Sequence, residues 1–224
     1  MHIEVIGQGP ALVLIHGWAL HGGVFAPLVD RLSAHLQLHL VDLPGHGASR
    51  DDTTPLRLPY VVNAIAAATP PAVWCGWSLG GLFALHAAAT LPQVRALAMI
   101  AATPRFVRGE DWPHAVEPAV FEQFGHDLAQ DYRGTLERFL ALDAMGSEHA
   151  RQELRTLREM LVARGEPALV RCRKACACWR TPICAAPWPS WASPACGWPA
   201  SATGWCRRGP CRLPPRWRRA RRRM

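Results

Sequence analysis

The sequence predicts an α/β fold: a mostly parallel sheet with helices on both faces. Two observations predict it. Short apolar runs recur through the first half of the chain, each stopped by Gly, Pro or Asp. Between them lie stretches whose apolar residues recur at helical spacing. A third observation bounds the size. With 224 residues, 50% of them hydrophobic, the chain suits one such domain, or a domain with an appendage.

The elements follow in order. His2 to Ile6 offers an edge strand. Ala11-Leu12-Val13-Leu14-Ile15 is an apolar run that stops at His16-Gly17, the pattern of a strand buried on both faces. A helix is expected over Val24 to Ala34, then a strand over Leu36 to Val41 that ends at Asp42-Leu43-Pro44-Gly45. Leu58 to Ala68 has helical spacing. Ala72 to Gly76 is the next strand, Leu79 to Leu91 the next helix, and Val94 to Ala101 the fourth core strand. Residues 1–104 are thus expected to form the sheet and its helices.

Residues 105–166 differ. Pro113, Pro118 and charged segments replace the apolar strands, and Glu117 to Asp127, Asp131 to Leu142 and Ser147 to Ala163 carry apolar residues at helical spacing. Ser147 offers a helix start and Gly165 a stop. This predicts a helical lid inserted after the fourth core strand.

Residues 167–224 have no usable period. All 17 acidic residues and 12 Arg lie in residues 1–166, a net charge of −5; residues 167–224 carry 12 Arg, one Lys and no acid, a net +13. Seven of the eight Cys and six of the ten Trp also fall there. The basic balance of the whole chain therefore speaks only for this tail. Its Pro spacing forbids long helices and central strands. Cys172, Cys176 and Cys178 lack a standard zinc spacing and a helping His, so no metal is expected. The Arg block at 216–223 could meet phosphates, as any polycation does, and specifies no nucleic acid. No apolar run reaches the roughly 18 residues of a membrane span, and the start of the chain lacks a secretory pattern. A cytoplasmic monomer is expected.

The chemistry centres on Gly76-Trp77-Ser78-Leu79-Gly80-Gly81. It fits G-x-S-x-G, placed between a strand and a helix, which is the context that pattern requires. A sharp strand-to-helix turn exposes the Ser78 hydroxyl. The new helix aims free N–H groups and its positive dipole end at the same place, so the Leu79 amide faces any oxyanion formed there. The bland reading is a surface Ser in a Gly-rich turn. His16-Gly17-Trp18 ends the first core strand, at the strand end where ligands bind in parallel sheets. There the Trp18 amide can serve as a second oxyanion donor, against the bland reading of an ordinary turn with a packing Trp. His16 is expected to orient this loop rather than act as a base.

These residues resemble a known family. His16-Gly17-Trp18, Asp42-Leu43-Pro44-Gly45-His46-Gly47-Ala48-Ser49 and Gly76 to Gly81 are similar to the α/β-hydrolase superfamily. Within it, Trp18, Trp77 and the run Glu137 to Gly146 resemble the carboxylesterases that demethylate pimeloyl-[acyl-carrier protein] methyl ester in biotin synthesis. The resemblance covers about residues 1–169. It implies an α/β-hydrolase sheet with a helical lid, incomplete at the C-terminal end, and a serine esterase without cofactor. Ser78 would be the nucleophile, with Trp18 and Leu79 as oxyanion donors. Trp18, Phe139, Leu140, Ala141, Leu142 and Asp143 would bind the acyl chain; the family more often has Gln where Asp143 stands. Arg138, Arg151 and Arg155 would meet the acidic carrier protein. The bland alternative for that basic face is solvation, paired with Glu148 and Glu159.

One part of the machinery is absent from the sequence. A Ser nucleophile needs a His to take its proton and an acid to orient that His. In this superfamily the acid and then the His follow the Ser. No His follows His149, and no carboxylate follows Glu166. The tail has the composition of a GC-rich gene read out of frame. With assumed codons, residues 200–208 displaced by two bases become Gly-Glu-Arg-Asp-Arg-Leu-Val-Pro-Pro, which resembles the family's acid-bearing loop. A frameshift near residue 170 and impaired activity are therefore expected. Two other readings stay open, one enzymatic and one not: a broad short-chain carboxylesterase, and a non-catalytic binder of acyl chains or carrier protein.

Overall fold

A computed structural model describes residues 1–110, 112–165 and 167–168. Among the described residues five strands form one sheet: β1 (Ile3–Ile6), β2 (Ala11–Ile15), β3 (Gln37–Val41), β4 (Ala72–Trp77) and β5 (Val94–Ile100). Their order is β1-β3-β2-β4-β5. Only β1 runs antiparallel, pairing Ile3 with Val41 and Ile6 with Leu38. The other neighbours are parallel: Val13 sits opposite His39 on one side and Trp74 on the other. The expected edge strand is thus present, on an otherwise parallel sheet.

Alternation along β2 divides two packed layers. Val13 and Ile15 join a core with α2 (Leu58–Ala68) and α3 (Leu79–Thr90). Leu14 faces the other way, into a smaller core with Leu38, Leu40, Cys75 and residues of α1 (Ala26–Leu32). Burial on both faces is why β2 reads as an unbroken apolar run. α2 buries Leu58, Val61, Val62 and Ile65, a single stripe at helical spacing. α3 is buried nearly all round, from Leu79 to Leu85 and again at Ala87 and Ala88. Its sequence is accordingly apolar with no polar face.

The expected helix over Val24 to Ala34 divides. Gly22–Phe25 forms a 3₁₀ turn and α1 starts at Ala26. Pro27 explains the boundary, because a residue with no N–H fits the first turn of a helix and not its interior. α2 and α4 (Pro118–Gln130) likewise carry Pro in their first turn.

α4, α5 (Tyr132–Asp143) and α6 (Ala150–Ala163) follow β5. The Asp131 side chain accepts from the Gly134 amide at 2.9 Å and starts α5. The last helix begins at Ala150, later than the expected start at Ser147. Ser147 instead holds the approach turn, accepting from the His149 amide at 3.1 Å and donating to Glu153 at 2.8 Å. Gly165, at φ +83°, follows α6 as expected of a helix stop. From residue 169 on, the Cys/Trp/Pro/Arg-rich segment, with its Cys172, Cys176 and Cys178, lies outside the described residues.

Candidate active site

Ser78 occupies the corner between β4 and α3. Its φ of +51° is a left-handed conformation that non-Gly residues rarely adopt. The corner is over-determined by its surroundings. The Ser78 amide donates to the Ile100 carbonyl at 2.9 Å, and the Ser78 carbonyl accepts from the Gly81 amide at 2.9 Å. Two glycines make the fold-back possible. A Cβ at Gly76 would strike the Gly80 carbonyl, and one at Gly80 would strike the Ile15 carbonyl. The corner is therefore pressed against the end of β2. Leu79 is fully buried as the first residue of α3, where an amide has no partner within the helix.

The turn after β2 runs alongside. A Cβ on Gly17 would lie 3.4 Å from the Ser78 Cβ, so the backbone bearing Trp18 passes directly beside the serine. His16 is fully buried, and both ring nitrogens are engaged by main chain. Nδ1 donates to the Gly17 carbonyl at 2.7 Å, and Nε2 accepts from the Leu43 amide at 3.0 Å. Burial, with the neighbouring His46 adding to it, pushes His16 down to about 3, so the ring is neutral. His16 thus ties the turn to the end of β3 and is poorly suited to act as a base. His46, with its ring 5.3 Å from that of His16, is pushed down to about 4 by burial.

Asp42, quoted in the sequence only as the start of the Asp42-to-Ser49 motif, braces the turn beside the site. It is fully buried, and its carboxylate accepts from the Gly22 amide at 2.6 Å and the Ala48 amide at 2.8 Å. Arg164 approaches the same carboxylate at 3.3 Å. Burial alone would raise its pKa; the amide donors, with His16 and Arg164, outweigh that and hold it below the usual carboxylate range.

A cavity of about 760 Å³ opens above Ser78, walled by α4 and α5. Helical geometry sorts the predicted acyl-binding run. Thr135, Arg138, Phe139 and Leu142 line the cavity, a stripe at i, i+3, i+4 and i+7. Leu140 is turned instead into the core, and Ala141 into solvent. The Asp143 side chain lies outside the described residues. Five consecutive residues of one helix cannot face one cavity, so the structure brings together Phe139 and Leu142 and not Leu140 or Ala141. Trp18 is buried beneath the cavity wall. Its ring meets Phe124 edge-on at 5.2 Å and Phe139 at 4.9 Å. On α4, Val120, Gln123, Phe124 and Asp127 line the cavity. Their helical spacing was the available signal for them.

The three arginines separate. Arg138 is at the cavity, donating to Thr135 Oγ1 at 2.8 Å and lying 3.9 Å from Asp127 and 3.8 Å from Asp131. Arg151 and Arg155 are exposed on α6, and Arg155 pairs with Glu159 at 2.8 Å. The pairing with Glu159 anticipated for a solvated face is therefore present.

Among the described residues, no side chain hydrogen-bonds the Ser78 hydroxyl. Among them, too, no cluster of His, Cys, Asp and Glu could hold a metal ion, and no helix is long and apolar enough to cross a membrane.

A parallel strand, a strained Ser corner, a buried helix behind it and a facing Gly turn define one class of α/β fold. Residues 10–173 match the family of the alpha/beta hydrolase fold, and the chain belongs to that family. It is 84% identical over 167 residues to a pimeloyl-[acyl-carrier protein] methyl ester esterase of Stenotrophomonas maltophilia, and 82% identical over 168 residues to one of Xanthomonas axonopodis pv. citri. Each match takes in 75% of this chain and 64% or 66% of the relative, so the chain spans a little under two thirds of their length. The resemblance read from the motifs is borne out. Among solved structures, an esterase from Exiguobacterium antarcticum superposes with a TM-score of 0.71 at 20% identity, covering 80% of this chain and 69% of that one. An enol-lactonase from Burkholderia xenovorans does so with a TM-score of 0.64 at 20% identity, covering 84% and 71%. At that identity these two bear on the fold alone.

Proposed function

We propose that this site hydrolyses a carboxylic ester through Ser78. The observation that carries the reading is the Ser78 corner itself. Ser78 is held at φ +51°, at the start of a buried helix and beside the Gly17 turn, and it lines the cavity. In this reading Ser78 attacks the ester carbonyl, and the amides of Leu79 and Trp18 receive the negative charge on its oxygen. The alcohol leaves, and water releases the acyl group.

The substrate we propose is the methyl ester of a pimeloyl group on acyl carrier protein, after the names of the relatives at 82–84% identity. Phe139, Leu142 and the ring of Phe124 give the cavity an apolar wall suited to methylenes. Residues 105–166 would act as the lid over residues 1–104, with Arg138, Arg151 and Arg155 toward the carrier protein. A cytoplasmic monomer suits a carrier-bound substrate. The general base comes from neither His16 nor His46, both buried and neutral. With no His after His149 and no carboxylate after Glu166, turnover by this chain is expected to be low.

The test grafts the segment of the Stenotrophomonas relative that follows its matched region after Ala168, and assays p-nitrophenyl butyrate and the pimeloyl carrier-protein ester. Turnover should rise at least ~10³-fold over the present chain, and Ser78→Ala should remove that gain. A graft that turns over equally well with Ala at 78 would overturn the assignment.

A further inference from the structure

The turn that carries Trp18 is fastened from two sides, and both fastenings lead to α6. His21 and Gly22 are adjacent in that turn. The His21 Nδ1 accepts from the Gly23 amide at 3.1 Å, which leaves the proton on Nε2. That nitrogen donates to the Met160 carbonyl, in the last turn of α6, at 2.6 Å. The Gly22 amide donates to Asp42, and Asp42 in turn receives Arg164, the residue that follows α6. Arg164 also reaches Glu4 on β1, at 2.6 Å. A 139-residue and a 122-residue separation in sequence are thus closed within one small region.

We propose that α6 and the turn over residues 16–23 move as one body, with His21 and Arg164 as its positioning residues. The placement of α6, a helix that lines no part of the cavity, then sets the place of the Trp18 amide. Neither residue touches the cavity. Their effect passes through the Met160 carbonyl and Asp42 into the backbone of the turn. This deepens the ester-hydrolase reading, and its functional half rests on the Trp18 amide serving as an oxyanion donor.

Hydrogen exchange on the full 224-residue chain tests the coupling without relying on ester turnover. His21→Leu and Arg164→Met should each speed exchange of the amides at 17–23 at least ~10-fold, while β4 and α2 keep their protection. Coupling is reciprocal, so His21→Leu should also loosen the last turn of α6. Arg164→Lys, which keeps the charge but not the fork that spans Asp42 and Glu4, should restore part of the protection. Should His21→Leu fail to fold, the two Arg164 variants carry the test, since that side chain is partly exposed. Unchanged protection at 17–23, or an even loss that includes β4, would overturn the proposal. Either result would leave the role of Ser78 standing, because that role is read from turnover in the grafted chain.

Discussion

The two walls of the cavity are built on opposite principles. Below, the ends of β2, β3 and β4 are locked by buried polar groups and by backbone-on-backbone contact: His16 to Leu43, Asp42 to Gly22 and Ala48, Gly80 against Ile15. Above, α4 and α5 offer apolar side chains that stay partly in solvent. Val120 is 56% exposed and Leu142 61%, although both line the cavity. The difference separates two jobs. The floor fixes atoms to within a hydrogen bond, which the proposed charge stabilisation at a reacting oxygen would require. The roof presents a wettable apolar surface, whose burial waits for a ligand to cover it.

The sharpest way to break this comparison is to add one carbon to the floor. A Cβ at Gly80 meets the carbonyls of Ile15 and His16, which are backbone atoms with nowhere to go. Gly80→Ala is expected to destabilise by more than ~4 kcal/mol, enough to unfold a domain of ordinary stability. Circular dichroism would show it, and a native melting curve for this variant would mean that the corner is looser than these contacts imply. At Gly146, where a Cβ would meet nothing, the only penalty is its φ of +89°.

Acid should attack the floor next. Both buried imidazoles are held far below 6.5, His16 to about 3 and His46 to about 4, first by burial. Above pH 6.5 they are neutral in both the folded and unfolded chain and contribute no slope. Below it the unfolded chain takes up protons that the folded chain refuses. Each tenfold difference in proton affinity between the two states is worth ~1.4 kcal/mol. Stability therefore falls by several kcal/mol in total as pH drops from about 6.5 toward 4. The Asp42 carboxylate, held below its usual range, adds a loss of the same sign at still lower pH. The urea midpoint should fall between about pH 7 and pH 5; a flat midpoint over that window would mean that water reaches these rings.

α5 offers the comparison within a single helix. Leu140 is fully buried in the core, while Leu142, two residues on, is mostly exposed at the cavity rim. Leu140→Ala is expected to cost about 2–5 kcal/mol and leave acyl binding intact in whatever folds. Leu142→Ala should stay within ~0.5 kcal/mol of the parent yet weaken binding of a fluorescent acyl ligand several-fold. Equal effects on stability would erase the distinction between roof and floor on this helix.

How much of this was readable in the sequence follows the same division. β2, α2 and α3 were legible because burial writes itself as local pattern: an unbroken run, a stripe, an all-apolar helix. The Ser78 corner was legible because its two glycines are demanded by contact geometry and fall within five residues. The Asp42–Arg164 contact was not, because it joins positions 122 residues apart and neither residue carries a local mark of burial. The division of the α5 run was written in the 3.6-residue period, which places 139 and 142 on one face and 140 elsewhere. Resemblance to a family names a run of residues; only the period tells which of them turn inward.

The smallest effect expected lies on α6, and it decides whether its arginines serve a partner or only solvent. Arg155 is paired with Glu159 four residues on, and that side chain is 81% exposed. The order, Arg before Glu, is the less favourable one along the helix dipole. Removing the pair should leave the melting temperature unchanged. Glu159→Gln is the informative variant, because it frees Arg155 without deleting it. If the face receives an acidic carrier protein, its affinity should rise about two-fold to five-fold at low ionic strength and the gain should fade as salt is added. An affinity that ignores both the substitution and the salt would make this face a solvated surface, with the Arg155–Glu159 pair as its ordinary furniture.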